Sequence, residues 1–456
     1  GQGGFQEVPQ MAAFEDMVAY QEEVLHPSRI AEVLNRVIIQ AKRASAPAQI
    51  NVPRDFWTQV IEIELPVIVD FERPAGGTEA IARAAELLSG AKFPVILNGG
   101  GVVIGGAIED SKALAERLDA AVCCGYQHND AFPGSHPLST GTLGYNGSKA
   151  AMELISKADV VLALGTRLNP FSTLPGYGLD YWPENAEVIQ VDINPNRIGL
   201  TKKLAVGIVG EAGKVANAIL AQLSPTAGDA EREDRKATIA KVKADWAAQL
   251  ATMDHEADDP GTTWNERAQN ADPDKVTSRM AWRAIVEGLP EDVIISSDIG
   301  NSCALGAAYP SFEKGRKYLA PGMFGPCGYG FPAICGAKIG QPDVPVVGFA
   351  GDGAFGISMN EMTACGRDDW PAVTMVIFRN YHWGAEKRNT TLWYDDNFVG
   401  TELDRNVSYA GIAKACGLEG VQVKSMEEIT EAIKTATKLQ MEEGKTTFIE
   451  ILTNME

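Results

Sequence analysis

The sequence predicts an α/β fold in which parallel sheets are covered by helices on both faces. Short apolar runs, for example at 94–97, 160–164 and 373–378, alternate with stretches of helical length and periodicity. This alternation is typical of doubly wound parallel sheets. An apolar content of 45% and 46 glycines fit a globular chain with many tight turns. The length of 456 residues allows about two or three domains.

Charge and composition exclude several classes of partner. The chain has 40 basic and 60 acidic residues, a net charge of −20, which argues against a nucleic acid or an anionic membrane surface as partner. No apolar run reaches the roughly 18 residues that a membrane span needs. The seven cysteines have neither zinc-site nor disulfide-framework spacing. We therefore expect a reducing, cytoplasmic setting.

The first segment, residues 1–56, reads as the tail of a domain. Residues 14–24 and 28–43 have the pattern of helices, and 48–52 that of a short strand. Two helices and one strand cannot bury a full core. We expect this segment to need upstream residues or a close neighbour.

A second domain is predicted over 78–224. Helices at 80–89, 113–118 and 152–157 alternate with strands at 94–97, 121–125, 160–164 and 188–191. Three glycines, Gly99 to Gly101, follow its first strand. They indicate either a cradle for a nucleotide phosphate or only a tight turn.

Residues 225–274 are predicted to be a charged linker with one long helix at 232–253. The third domain, 275–456, opens with a helix at 276–289 and a strand at 293–296. A loop from Asp298 to Ser302, a glycine-rich segment at 322–330 and an apolar helix at 331–339 follow. Further on, strands are expected at 421–423 and 446–452, with a helix at 426–438 between them.

The most informative stretch lies between the two apolar runs at 346–350 and 373–378. The first run ends in Gly351-Asp352-Gly353 and the second ends at Asn380, with 26 residues (354–379) between, enough for one crossover helix. Carboxyl ends of parallel strands meet at one edge of a sheet, where ligands bind. Asp352 and Asn380 offer hard oxygen ligands suited to Mg²⁺ or Ca²⁺. Gly351 and Gly353 let the backbone approach a phosphate.

This spacing resembles the diphosphate-anchoring motif of thiamine diphosphate (TPP) enzymes. The resemblance implies TPP and Mg²⁺ as cofactors, with Asp352, Asn380 and the main-chain carbonyl of His382 as metal ligands. The family pattern usually ends Asn-Asn, whereas this chain has Asn380-Tyr381. The architecture implied is the tail of a pyrimidine-binding domain at 1–56, a central Rossmann-like domain, and a diphosphate-binding domain at 275–456.

The resemblance also implies the remaining cofactor contacts. The carbonyl of Gly325 would accept the 4′-amino group of the pyrimidine, and Cys327 would take the position of the side chain that bends the cofactor. Relatives usually place a larger side chain there, and the alternative for Cys327 is a small buried thiol. The other implied cofactor contacts are Gly300, Asn301, Ser302, Gly351, Gly353 and Ala354.

A narrower resemblance rests on FQEVPQMAAF at 5–14, GPCGY at 325–329 and RNYHWGAEKRNTTLWY at 379–394. These segments are similar to the sulfoacetaldehyde acetyltransferase family, which forms acetyl phosphate and sulfite from sulfoacetaldehyde and phosphate in taurine breakdown. Both substrates are anions, so the site needs fixed donors. Candidates are His382, Lys387, Arg388 and Gln6. The alternatives are a solvated helix surface for Lys387 and Arg388, and a purely main-chain role for His382.

Two other functions stay open at this point. One is a 2-oxo-acid synthase or decarboxylase like acetolactate synthase, a family that carries flavin on its central domain. The other is a non-catalytic binding or assembly subunit, because the family's glutamate beside the pyrimidine N1′ is expected upstream of residue 1, and Glu7 falls on a different part of the family pattern. The superfamily shares its active sites between subunits, which implies a homodimer or homotetramer.

Overall fold

A computed structural model describes residues 3–67, 71–224, 229–253 and 275–454. The chain forms two units. The first comprises Gly1–Pro74 with Asn194–Asn196, and the second comprises Ala75–Ile193 with Arg197–Glu456. Among the described residues, no helix is both long enough and apolar enough to cross a bilayer.

The first unit contains a pair of parallel strands with a helix between them. Its elements are α1 (Gln10–Phe14), β1 (Tyr20–Glu23), α2 (Ile30–Ala44) and β2 (Ala48–Asn51). Its small core consists of Val24, Val33 and Val37. The helix predicted over 14–24 is wrong, because the backbone of β1 pairs with β2 and this long-range pairing overrides the local helical pattern. The second helix and the strand are confirmed.

The central part of the second unit has a six-stranded, all-parallel sheet in the order β5-β4-β3-β6-β7-β8. The strands of this sheet lie in one large core with the helices that flank them. The elements are α3 (Thr78–Gly90), β3 (Pro94–Asn98), α4 (Gly100–Gly105), α5 (Ile108–Leu118), β4 (Ala121–Cys124), β5 (Ser139–Thr142), α6 (Lys149–Ile155), β6 (Val160–Leu164), β7 (Glu187–Asp192), β8 (Val206–Val209) and α7 (Ala212–Leu220).

The long helix expected at 232–253 is present as α8 (Asp229–Met253). It does not lie in a solvated linker, because Ile239, Val242, Trp246 and Leu250 are buried in the core of the central sheet. These four residues recur at three- and four-residue spacing, which forms one apolar stripe. The rest of the predicted linker, 225–228 and 254–274, lies outside the described residues.

The second sheet of this unit is also six-stranded and parallel, in the order β10-β9-β11-β12-β14-β13. Helices cover both faces, so its two faces contribute to separate apolar clusters. The elements are α9 (Ser278–Gly288), β9 (Ile294–Ser297), α10 (Asn301–Ala304), β10 (Tyr318–Leu319), α11 (Gly330–Gly340), β11 (Val346–Gly351), α12 (Asp352–Ser358), α13 (Met362–Cys365), β12 (Thr374–Arg379), α14 (Gly384–Trp393), α15 (Tyr409–Ala415), β13 (Glu419–Val423), α16 (Met426–Lys438) and β14 (Thr447–Leu452).

Buried polar side chains join the two sheets of the second unit. The Asn129 Nδ2 donates to the carbonyls of Gly306, Ala307 and Pro310 at 2.8–3.2 Å. The Asp130 Oδ2 accepts from the main-chain nitrogens of Lys317 and Tyr318 at 2.9 and 3.3 Å. Because buried polar groups need partners, these bonds fix the loop after β4 against the segment that leads into β10.

Trp282 of α9 supports the strand ends that carry the candidate site. Its ring lies 4.7 Å from that of Phe349 on β11 and 5.6 Å from that of Phe378 on β12, centroid to centroid. Its Nε1 donates to the carbonyl of Ser302 at 2.6 Å. One side chain therefore holds two strands and the predicted cofactor loop.

We expect Trp282→Phe to lower the free energy of unfolding by about 1–3 kcal/mol, because the buried Ser302 carbonyl loses its donor. Trp393→Phe is the matched control, since Trp393 is 76% exposed, and its effect should stay within about 0.5 kcal/mol. Urea denaturation of both variants measures the difference. Equal effects at the two positions would contradict the supporting role of Trp282.

Candidate active site

The candidate site lies at the carboxyl ends of β9, β11 and β12. In the sheet, β9 lies between β10 and β11. The connection from β9 leads to β10 on one side, and the strands from β11 onward lie on the other side of β9. Such a reversal opens a crevice at the strand ends, where open α/β sheets bind ligands. Asp298 follows β9, Asp352 follows β11 and Asn380 follows β12.

The carboxylate of Asp352 is buried and linked to the end of the next strand. Its Oδ2 accepts from the Arg379 Nη1 at 3.0 Å and from the main-chain nitrogen of Tyr381 at 2.7 Å. Its Oδ1 accepts from the main-chain nitrogen of Gly353 at 3.0 Å. Burial raises the pKa of Asp352, and these hydrogen bonds and the Arg379 charge oppose that rise. The structure thus brings Asp352 and the segment after Asn380 together.

Arg379, which sequence reasoning missed, balances two buried carboxylates. Its guanidinium is 1% exposed, and its Nε lies 3.5 Å from Oε1 of Glu450 on β14. The Nη2 donates to the carbonyls of Asp404 and Val407 at 2.5 and 3.0 Å. A cation held from three sides keeps the Asp352 carboxylate in one orientation.

The remaining predicted metal ligands are main-chain and amide oxygens beside Asp352. The Asn380 Oδ1 accepts from the main-chain nitrogen of His382 at 3.0 Å, which leaves that oxygen with a further lone pair. The His382 carbonyl accepts no hydrogen bond from the described residues. No cluster of three His, Cys, Asp or Glu side chains suited to a metal occurs in the described ranges, so any ion here relies on mixed oxygen donors.

Two glycines at the strand ends have no packing reason to be glycine. A Cβ added to Gly351 or to Gly300 would meet no atom within 4 Å, and Gly300 has a φ of +130°. A Cβ at Gly353, in contrast, would lie 2.9 Å from the Trp383 ring. Open space above Gly351 beside a buried carboxylate fits a diphosphate and its metal ion. Ala354 is buried one residue further along α12.

Asp298 organises the glycine-rich segment, a role that the sequence did not reveal. Its carboxylate accepts from the main-chain nitrogens of Ile299, Gly328 and Gly330 at 2.7–3.1 Å. Gly325 has a φ of +61° and faces Ile299. Cys327 is exposed, so the alternative of a buried thiol is wrong. Two of these main-chain donors, Gly328 and Gly330, belong to the segment that was predicted to contact the cofactor pyrimidine, so the carboxylate fixes that segment.

Two side chains of the loop after β9 already have hydrogen-bond partners within the protein. The Ser302 hydroxyl bonds to the Ser278 hydroxyl at 3.1 Å, so that side chain supports α9. The Asn301 Oδ1 accepts from the Tyr145 hydroxyl of the central sheet's domain at 3.3 Å. Main-chain groups of the loop are therefore the better candidates for cofactor contact.

The basic candidates lie on or just before α14. The His382 Nδ1 is 2.7 Å from Oε2 of Glu402, and the Lys387 Nζ bonds to Oε1 of the same carboxylate. The Arg388 Nη1 donates to the Tyr145 hydroxyl. Burial, and then the charge of Lys387, lower the pKa of His382. The structure brings His382 and Lys387 together through Glu402, another residue that sequence reasoning missed.

Gln6 lies in the first unit, where it is exposed and has a φ of +63°. Its proposed role in the site stays a prediction.

The three glycines after β3 are explained by packing. A Cβ at Gly99 or Gly101 would lie within 2.5–2.7 Å of the main chain of Gly165, and one at Gly100 would lie 2.8 Å from the His128 ring. Gly100 begins a helix, α4, where a turn was one expectation. The glycines thus allow three chain segments to approach closely and need no phosphate to account for them.

Comparison with known proteins decides the family. Residues 81–219 match the thiamine pyrophosphate enzyme central domain, and residues 298–451 match the thiamine pyrophosphate enzyme C-terminal TPP binding domain. The chain is 74% identical over all 456 residues to a sulfoacetaldehyde acetyltransferase of Roseovarius nubinhibens, of which it covers 76%. The chain belongs to the sulfoacetaldehyde acetyltransferase family of thiamine pyrophosphate enzymes.

More distant similarities agree with this membership. A family member from Castellaniella defragrans is 46% identical over 458 residues, with all of this chain and 76% of the relative covered. A probable acetolactate synthase large subunit of Methanocaldococcus jannaschii is 28% identical over 445 residues, covering 96% of this chain and 72% of that protein. A Rhodococcus jostii thiamine diphosphate-dependent 4-hydroxybenzoylformate decarboxylase superposes with a TM-score of 0.74 at 20% identity, over 98% of this chain and 79% of that one. The predicted fold class is confirmed.

We expect Arg379→Met to destabilise the protein by about 3–5 kcal/mol, because Asp352 and Glu450 would stay buried without their cation. The matched control is Arg367→Met, since the Arg367–Asp369 pair is exposed on both sides, and it should leave stability unchanged. Chemical denaturation at pH 7 compares the two. A small effect of Arg379→Met would show that the carboxylates do not depend on it.

A pH dependence is expected from His128, whose pKa is lowered from 6.5 to about 4 by burial and by Arg167. The folded state disfavours the protonated ring, so stability is full above pH 6.5 and falls as the pH drops towards 4. The loss between pH 7 and pH 5 should be about 2 kcal/mol. In His128→Gln this part of the pH dependence should disappear, as denaturation at the two pH values measures. An unchanged slope in the variant would contradict this assignment.

Proposed function

We propose that the protein uses thiamine diphosphate and Mg²⁺ to convert sulfoacetaldehyde and phosphate into acetyl phosphate and sulfite. The observation that supports this most is the 74% identity, along the whole chain, to a protein named for this activity. Family membership supports the thiamine cofactor. Mg²⁺, a role in taurine catabolism, a cytoplasmic location and a homodimeric or homotetrameric state are parts of the proposal.

The residues present fit both cofactors. The Asp352 carboxylate, the Asn380 amide oxygen and the His382 carbonyl would hold Mg²⁺, and the open space above Gly351 would admit the diphosphate. Bound thiamine diphosphate would supply the carbon nucleophile that attacks the aldehyde carbonyl. Arg379 would keep the Asp352 carboxylate aimed at the ion, because the guanidinium is itself fixed by Glu450 and two carbonyls.

His382 is suited to move a proton at its Nε2. A distance of 2.7 Å to the Glu402 carboxylate favours a proton on Nδ1, which leaves Nε2 as an acceptor. Burial and the neighbouring Lys387 lower the pKa of the ring, so it is neutral near pH 7 and able to accept a proton. In this role Glu402 orients His382 and does not touch the substrate.

The activity is tested with the intact gene product, sulfoacetaldehyde, phosphate, Mg²⁺ and thiamine diphosphate. We expect sulfite release that depends on phosphate. Release of acetolactate from pyruvate without sulfite would replace the proposal with a synthase function, and neither product would favour a non-catalytic subunit.

The cofactor residues are tested by binding. Asp352→Ala and Asn380→Ala should weaken Mg²⁺-dependent thiamine diphosphate binding by more than about 100-fold, beyond the 10- to 100-fold typical of outer-shell residues. Asp343→Ala is the matched control, because this carboxylate is exposed and lies in the loop before β11. It should bind the cofactor as the parent does. Calorimetric titration of thiamine diphosphate with and without Mg²⁺ measures these affinities. An affinity of Asp352→Ala equal to that of the parent would exclude Asp352 as a metal ligand.

A further inference from the structure

The three basic side chains near the predicted metal site differ in how much of their charge is available. Lys387 and His382 both contact the carboxylate of Glu402, Lys387 at Oε1 and His382 at Oε2, the latter at 2.7 Å. The Glu402 carboxylate offsets most of the positive field that Lys387 would present to a substrate anion, and the neutral His382 ring adds none. These two residues are therefore poor candidates for the principal anion contact.

Arg388 has a different environment. Its Nη1 donates to the neutral Tyr145 hydroxyl, and its guanidinium carbon lies 5.6 Å from the centre of the Tyr145 ring. Within the described ranges, no carboxylate lies at ion-pair distance from Arg388. Its Nε is buried and has no hydrogen-bond acceptor among the described residues. A buried donor on a permanent cation, with no acceptor, is costly unless a ligand supplies one.

The Tyr145 hydroxyl also fixes where this cation lies. It accepts from Arg388 and donates to the Asn301 Oδ1 at 3.3 Å, and Asn301 begins the short helix that follows β9. Two bonds thus connect the guanidinium to the loop that was predicted to contact the cofactor. Arg388 is at the same strand ends as Asp352, and its position is set by a residue of the central sheet's domain.

We propose that Arg388 binds the tetrahedral oxyanion of a substrate, either the sulfonate of the aldehyde or inorganic phosphate, and that Tyr145 is its positioning residue. The inference rests on the proposed function for the identity of these anions. A planar guanidinium donates two parallel hydrogen bonds to a tetrahedral oxyanion, and the Nε edge is the one without a partner in the described residues.

The first test measures binding without turnover. Inorganic phosphate and ethanesulfonate are titrated separately, by calorimetry, into the intact protein loaded with thiamine diphosphate and Mg²⁺. We expect one anion to bind the parent and to bind Arg388→Gln about 10- to 100-fold more weakly. Lys434→Gln, which removes the same charge from an exposed position, should bind as the parent does. Failure of the parent to bind either anion, or equal binding by Arg388→Gln, would overturn the inference.

The second test identifies the anion and separates this inference from the proposed function. If the sulfonate is bound, KM for sulfoacetaldehyde rises in Arg388→Gln, and if phosphate is bound, KM for phosphate rises. Arg388→Lys should recover part of the loss, and Tyr145→Phe should raise the same KM by less, with unchanged thermal unfolding for both. Anion binding that needs Arg388 in a protein that releases no sulfite would reject only the proposed function. Normal turnover with neither KM changed would reject only the role of Arg388.

Discussion

The structure of the candidate site depends on one buried carboxylate. Asp352 directly follows β11 as the first residue of α12, and its oxygens are held by the main chain and the arginine at the end of β12. A buried carboxylate is tolerated only where such partners exist. The requirement explains how a charged residue can directly follow an apolar strand. A second buried carboxylate, Glu450 on β14, contacts the same arginine. The oxygen donors proposed for a metal ion are positioned as a result of this arrangement.

The two sheets of the second unit contribute differently to the proposed chemistry. The sheet that contains β11 and β12 carries the proposed metal and diphosphate contacts, and Asp298 fixes the glycine-rich segment there by two main-chain hydrogen bonds. The central sheet's domain contributes Tyr145, which holds a cation whose charge is not offset by a carboxylate among the described residues. Glu402 offsets the charge of Lys387 and also contacts the His382 ring. Proximity of a basic residue to the site is therefore a poor guide to which one meets an anion.

The fold and the cofactor motif were predictable because their signals are local. Apolar runs separated by helical stretches identified the interior strands of both six-stranded sheets but not the edge strands β5, β8 and β10. Gly351-Asp352-Gly353 and Asn380 lie where parallel pairing puts them. Arg379 and Glu450 were missed because their contact joins residues far apart in the chain, and no local spacing marks it. The pairing of β1 with β2 was missed for the same reason. The stripe on α8 is periodic, but its charged composition obscured the buried face. Cys327 could not be placed because exposure depends on the loop conformation that Asp298 imposes.

The contact between Arg379 and Glu450 has a consequence for the order of assembly. Strand β14 follows β11 and β12 in the chain, yet it lies beside β12 in the sheet. Before β14 is in place, Arg379 lacks Glu450, one of its two acidic partners. The arginine that orients the Asp352 carboxylate is then itself less firmly fixed. The geometry of the proposed cofactor pocket therefore depends on the docking of β14, the last strand of the sheet in chain order.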